Sequence, residues 1–307
     1  MAGPADRPGL SEFQFRRLSK PEELRAAEEL QASAGRTAGE AGVPVPLQRA
    51  FQDNGGLVVG AFVGIHLAGA SSGFLGWDGE TLFHYAHATA VRPEYQNHHV
   101  GFRLRAFERQ EVLQEGLSEI RWTIDPLSSR GAFVSLRRLG ATADRYYVHY
   151  YGRAGPTPDA PEETDRLRIV WKIATPAVEQ RLGGQVASPS EDARRREGAQ
   201  ALLETETNEH GLRVPTTVTE PSEDRATIEV PFDLGVHREH DPASVRTWRH
   251  AARDAFRASF DLGYRVDDFA VVSADHERRS FYFLTRGPAP QPSASPGAAS
   301  RGDRQEG

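Results

Sequence analysis

The chain has 307 residues and no cysteine, with 38% hydrophobic and 26% charged residues and a formal net charge of -6. Its length suggests about two domains, and its balance is that of an ordinary globular protein with no overall basic field to draw in nucleic acid. The missing thiols exclude disulfides, thiolate metal sites and a cysteine nucleophile, and they fit a reducing, cytoplasmic setting.

No window approaches the ~20 apolar residues of a membrane-spanning helix, and Met1–Gly9 lacks an apolar run, so neither a span nor a secretory signal is expected. Lysine occurs only at Lys20 and Lys172. Phosphate contacts would therefore fall to arginine and to backbone amides.

In chain order, Glu12–Leu18 alternates as a strand. Ser19-Lys20-Pro21-Glu22 reads as a capping box for a helix with Leu24, Ala27 and Leu30 on one face and a stop at Gly35. A second helix is expected over Pro46–Asp53, then three strands, Leu57–Val63, His66–Leu75 and Thr81–Val91, with a turn at Trp77-Asp78-Gly79-Glu80. A helix over Gly101–Glu115 follows, then a buried strand Ile120–Ile124 and a helix Arg130–Leu139 closed by Gly140. Two strands, Arg145–Tyr151 and Leu167–Ile173, flank a Pro/Asp/Glu-rich excursion at Pro156–Glu163.

Beyond residue 174 the chain is polar and broken by Gly and Pro, with one helix expected near Ala193–Glu204. A second compact region then appears. It comprises a strand Thr227–Val230, a helix opened by Asp241-Pro242 with Val245, Trp248, Ala252, Phe256 and Phe260, and strands Phe269–Val272 and Ser280–Leu284. The expected organisation is a flexible N-terminus (1–10), an α/β domain (11–175), a polar connecting segment (176–225), an α+β region (226–286) and a disordered tail (287–307).

The most informative stretch runs from Val91 to Gly101 through Gln96-Asn97-His98-His99-Val100. It lies between a strand and a helix, where consecutive amides and the helix N-terminus favour a pyrophosphate. His237-Arg238-Glu239-His240 has the wrong spacing for a zinc helix and, before Asp241-Pro242, reads as a loop, so no metal is expected. Arg194-Arg195-Arg196 lies among Glu191, Asp192 and Glu197 and reads as a solvated helix face.

Trp122-Thr123-Ile124-Asp125-Pro126-Leu127, Leu136–Ala141, Tyr150-Tyr151-Gly152 and Asp165-Arg166 through Val170-Trp171 resemble the GNAT superfamily of acyl-CoA N-acyltransferases, in the branch with a Trp-Thr-x-Asp-Pro-Leu signature. The resemblance spans residues 12–173 and extends to Glu229–Pro231 and Trp248–Arg249. It implies a mixed, mostly antiparallel sheet with flanking helices and splayed fourth and fifth strands, plus a smaller C-terminal region like half of the same fold.

The resemblance further implies N-acylation of a small amino acid or related amine, with acetyl-CoA or succinyl-CoA as donor; the branch includes amino-acid N-succinyltransferases that work beside N-acylamino acid racemases. Partners would be the acyl-CoA and the amine, with a homodimer left open.

For the site, the resemblance implies backbone contacts to pantetheine from Thr89, Ala90 and Val91. The pyrophosphate turn would be Gln96, Asn97, His98, His99, Val100, Gly101 and Phe102, where His99 stands in place of a family glycine. His87 matches a histidine of the branch and is the expected base, with His84 on the opposite face as the weaker alternative. Asp125 would orient His87, bind the amine or cap the next helix. Leu136 stands where many members carry a tyrosine acid, leaving Tyr146, Tyr147, Tyr150 or Tyr151 as substitutes. A substrate carboxylate would need an arginine; Arg130, Arg145 and Arg166 are candidates, and Tyr151 is placed with Arg130 and Arg166 on the substrate side. The competing reading is a non-catalytic acyl-CoA-binding sensor or scaffold, which His99 and Leu136 both suit.

Overall fold

A computed structural model describes residues 13–34, 42–154, 162–274 and 277–287. The expected N-terminal segment 1–10, the tail from 288 and most of the Pro156–Glu163 excursion lie outside the described residues. Within them, strand β1 (Phe13–Arg17) leads to helices α1 (Pro21–Ala34) and α2 (Val45–Asp53). The cap of α1 is made by Glu23 rather than Glu22: its carboxylate accepts from the amides of Ser19 and Lys20. Strands β2 (Leu57–Val63), β3 (His66–Trp77) and β4 (Leu82–Val91) form an antiparallel meander with β1.

A 3-10 turn at Pro93–Tyr95 leads to helix α3 (Val100–Gln114), followed by strand β5 (Glu119–Ile124). Helix α4 (Ser129–Ala132) continues as a π-helical stretch, Phe133–Arg138. Strand β6 is Thr142–Tyr147, three residues earlier than the alternation suggested. The chain turns away after Tyr147 because Asp165 and Thr164 take the amides of His149, Tyr150 and Tyr151, with His149 and Gly152 at positive φ. A two-residue ladder, β7 (Arg153–Ala154) with β8 (Glu162–Glu163), precedes β9 (Arg166–Lys172).

The segment after β9 is more ordered than its polarity suggested. It holds α5 (Pro176–Leu182), α6 (Pro189–Glu197), β10 (Gln200–Ala201), and an antiparallel pair, β11 (Leu203–Thr207) with β12 (Arg213–Val218). The helix expected near 193–204 is therefore displaced. Its start is a capping box between Ser188 and Glu191, and its end is Gly198. Beyond it, burial of Leu202 and Leu203 and the threonines that follow favour strands. Strand β13 (Arg225–Val230), helices α7 (Leu234–His240) and α8 (Pro242–Asp261), and strands β14 (Tyr264–Ala274) and β15 (Glu277–Arg286) complete the chain. His237 and His240 thus lie on a short helix, not in a loop.

One sheet of 11 strands runs through both halves in the order β1-β2-β3-β4-β5-β9-β6-β14-β15-β13-β10. All neighbours are antiparallel except β4–β5 and β10–β13. The mixed, mostly antiparallel sheet with flanking helices expected from the motifs is therefore present, with the smaller α+β region continuing it. The centre of that order reads nearly the same from both ends.

In the first half a strand, a helix and two strands (β5, α4, β6, β9) are arranged β5-β9-β6. In the second, β13, α8, β14 and β15 are arranged β13-β15-β14. The two units meet where β6 pairs with β14, Ala143 opposite Val266. Each helix also crosses the join, α8 packing on β6 and the π-helical stretch on β14.

The join is both apolar and charged. Trp122, Trp171, Trp248, Phe256, Phe269 and Tyr282 belong to one buried core spanning the two halves. Arg137 reaches across to Asp268, whose carboxylate also receives Arg181 and Arg195. No helix among the described residues is long and apolar enough to cross a membrane.

Candidate functional site

Strands β4 and β5 pair only at His84–Ile120 and Tyr85–Arg121. Beyond that point β4 runs on to Val91 and β5 to Ile124, and no ladder joins them, so a fork opens between two strand edges. A gap of this kind offers unpaired backbone groups on both sides to an extended ligand.

A bulge sits at the root of the fork. Ser72 pairs with Ala88 and Gly73 with Ala86, which leaves His87 as the extra residue of β4. Glycine is required at position 73, since a Cβ there would meet His84 Nε2 at 2.3 Å and the Tyr85 carbonyl at 2.6 Å.

The bulge reverses the facing of the strand. Tyr85 and His87 lie with Phe74 and Phe51 on the α2 side, with ring centroids 5.1–6.5 Å apart. Thr89 and Val91 lie toward α3. The His87 ring stays open to solvent on its outer side, while its walled side lowers its pKa by desolvation. It is therefore neutral at neutral pH, as a base must be.

His84 is buried on the α3 side, its Nε2 3.2 Å from the fully buried Glu108. Glu108 also accepts from Arg105 and from Ser71, and Ser71 in turn accepts from Thr89 at 2.9 Å. Burial pushes the Glu108 carboxyl up, but the Arg105 charge and the His84 hydrogen bond outweigh it and bring it to about 2. His84 thus anchors β4 to α3 and faces away from His87, as its spacing suggested.

At the far end of the fork, Asn97 and His99 both adopt the left-handed conformation, with φ of 67° and 56°. His99 takes up the backbone shape for which a glycine was expected. It stands at the N-cap of α3, and Arg103 is the first amide to bond back, to the His99 carbonyl. The amides of Val100, Gly101 and Phe102 consequently have no intrahelical acceptor and point out of the helix start. Gln96 spans the mouth of the fork, donating to the Val91 carbonyl and accepting from Arg130. Arg130 thus lies beside the strand-to-helix turn that begins at Gln96. Phe102 lies under Arg138, 4.9 Å from ring centroid to guanidinium. Ala90 is buried against the α1 side.

The remaining candidates form a second group beyond the fork's root. The Tyr85 hydroxyl lies within electrostatic reach of Thr123 on β5 and of Tyr150, and burial raises its pKa. Tyr150 contacts Tyr147 and Tyr151 at 4.7 and 4.9 Å, and Tyr151 lies 4.9 Å from the Arg166 guanidinium. Arg166 acts electrostatically on Asp125. Side chains thus lead from His87 through Tyr85, Tyr150, Tyr151 and Arg166 to Asp125.

Asp125 does not serve His87. Both of its oxygens accept from Arg249 of α8, and one also caps the Leu127 amide. Tyr146 is likewise committed, donating to Asp165 and stacking on Phe256, and burial raises its pKa. Leu136 is fully buried in the core.

Sequence reasoning missed Phe51, Phe74, Tyr85, Thr123 and Arg249 as neighbours of this site. Thr123 and Arg249 carried a signal, in the Trp122–Leu127 and Trp248–Arg249 motifs. Among the described residues no group of three or more acidic, histidine or cysteine side chains is placed to hold a metal ion.

No family model and no curated protein matches the chain. Solved structures similar to part of it include the ribosomal-protein-S18-alanine N-acetyltransferase of Escherichia coli, at 17% identity over 53% of this chain and 95% of that one, TM-score 0.42. A putative acetyltransferase of the GNAT family from Desulfovibrio desulfuricans is 18% identical over 53% and 99%, TM-score 0.43. A putative acetyltransferase from Salmonella typhimurium, solved with its cofactor acetyl-CoA, is 17% identical over 54% and 98%, TM-score 0.42.

Proposed function

We propose that the chain is an acyl-CoA-dependent N-acyltransferase that transfers an acetyl or succinyl group to the amino group of a small carboxylated amine. The observation that carries this reading is the fork between β4 and β5, with the His87 bulge at its root and the outward-facing amides of α3 at its mouth. Pantetheine would lie in the fork beside Thr89–Val91, and the pyrophosphate on the amides of residues 97–102, with Arg130 beside it. The thioester then falls near His87.

The bulge takes the His87 backbone out of the ladder, which supports an amide donor for the oxyanion there. The neutral imidazole, directly or through a water, takes a proton from the attacking amine. Tyr151 and Arg166 border the acceptor side and suit a carboxylate.

The test is thiol release from acetyl-CoA and succinyl-CoA against the twenty amino acids, with His87→Ala alongside. Release with one acceptor class, lost in the variant, supports the proposal. The second reading, an acyl-CoA sensor, is favoured by the burial of Leu136 and the commitment of Tyr146, which leave no obvious acid. Saturable acyl-CoA binding without thiol release from any acceptor would select it.

A further inference from the structure

The near-palindromic order of the sheet places the end of β13 where β5 ends in the other half. The start of β15 likewise corresponds to the start of β9. At β5 and β9 those positions hold Asp125 and Arg166 of the candidate acceptor side. At β13 and β15 they border a cavity of about 150 Å³, lined in part by Glu229, Arg279, Phe232, Val236, His237 and Trp248. That volume is comparable to an engineered cavity that binds benzene. Unlike a dry cavity, this one carries oriented polar groups.

His237 is 6% exposed, and its Nδ1 lies 2.8 Å from the Ser244 hydroxyl. That hydroxyl lies 2.7 Å from the Asp241 carbonyl, and with its proton there Nδ1 is the donor to Ser244. Burial lowers the pKa of His237 and keeps the ring neutral, which leaves Nε2 as a lone-pair acceptor. No hydrogen bond among the described residues occupies Nε2.

Arg278 also borders the cavity, its guanidinium 4.8 Å above the Phe232 ring and without an ion pair among the described residues. Glu229 and Arg279 are already paired with each other and form a fixed wall. Between acceptor and cation, Phe232 and Val236 remain 40% and 38% exposed, an apolar wall beside the Arg278 guanidinium. An acceptor, a cation and an apolar wall in this volume match a molecule with an ammonium, a carboxylate and a short hydrocarbon.

We infer that this cavity is a second ligand site, separate from the candidate acyl-transfer site, and that it takes a small free amino acid with an apolar side chain. Its floor is Trp248, whose neighbour Arg249 holds Asp125, so an occupant sits one residue from the joint between the two sites.

The experiment is calorimetry on the full chain without acyl-CoA, using L-valine, with isobutylamine and isovalerate as half-ligands. The Trp248 indole N–H signal is followed in parallel by NMR. Valine is expected to bind saturably and shift that signal, and each half-ligand to bind at least about tenfold more weakly. Val236→Trp, which fills the cavity, and His237→Phe, which keeps the ring and removes the acceptor, should each weaken valine by about tenfold or more. Thermal melts confirm that at least one of the two variants remains folded. Valine binding unchanged in the folded variant, or no saturable binding with no Trp248 response, overturns the inference. Binding lost in Arg166→Ala but kept in Val236→Trp would also overturn it, while leaving the acyltransferase reading intact.

Discussion

Asp125 and Arg249, 124 positions apart in sequence, face each other through two side-by-side hydrogen bonds of 2.5 and 2.9 Å. Nearby, Arg253 binds Asp165 in the same two-pronged way, at 2.8 and 3.1 Å, and Tyr282 donates to the Pro126 carbonyl. Residues that read as separate motifs, Asp125-Pro126, Asp165-Arg166 and Trp248–Arg249, are thus one joint between helix α8 and the ends of β5 and β9. Their pairing gives Asp125, Asp165 and Arg249 a structural role without assigning any of them to proton transfer.

Removing one partner of the joint strands a charge in a largely buried place. Arg249→Met should destabilise the protein by about 3–5 kcal/mol, whereas the double change Asp125→Leu with Arg249→Met should recover part of that loss. Urea denaturation of the three proteins checks it, and equal instability of single and double variants would contradict it.

Glu108 links acid stability to the root of the fork. Its folded pKa of about 2 lies below the ordinary carboxylate value of 4.5. It therefore contributes stability that is fully present above pH 4.5 and is lost as pH falls toward 2. Glu108→Gln should be less stable than the parent at pH 7 and should show a shallower loss between pH 4.5 and 2. Denaturation midpoints over that range are the measurement.

For His87 the direction is also defined. Burial lowers its pKa below 6.5, so the imidazole stays a base somewhat below that pH. In the proposed reaction, kcat/KM should hold from pH 8 to about 6.5 and fall only below it, and His87→Ala should cost about 10²-fold or more and remove that limb. A parent profile falling with an apparent pKa above 7 would argue against His87 as the base.

His99 occupies the left-handed region without a glycine's freedom. Relief of about 1–2 kcal/mol of backbone strain in His99→Gly is offset by about 0.5–1 kcal/mol of added unfolded-state entropy, so stability should rise slightly, by about 1.5 kcal/mol at most. Gly101→Ala should raise stability by about 0.5–1 kcal/mol, because its Cβ meets only Val91 Cγ2 at 3.7 Å and the unfolded chain loses a glycine's freedom. Thermal melts check both, and acyl-CoA titration should show tighter binding in His99→Gly if the turn carries the pyrophosphate.

Local signals made much of the fold legible. Turn chemistry at Trp77–Glu80 and the apolar runs on either side located β3 and β4, and Asp241-Pro242 located α8, where Asp241 does cap the Ser244 amide. Where two signals competed, the reading slipped. Alternation through Tyr147–Tyr151 looked like strand, but Asp165, far along the chain, takes the His149 amide and turns the backbone away. The capping box at Ser188–Glu191 starts α6 four residues ahead of the expected Ala193.

The sequence by itself determined the elements, their approximate order and the strand-to-helix turn before α3, because capping, alternation and turn residues act over a few positions. It also carried the motif residues, but not their partners. Only the tertiary structure decided that His87 is the extra residue of a bulge, that Asp125 belongs to Arg249, and that the second region continues the sheet as a counterpart of the first. A bulge depends on the register of the neighbouring strand, an ion pair on which surfaces are pressed together, and a shared sheet on which edges are left open. None of these is encoded within a short window of chain; each is set when separate elements bury their apolar faces against one another.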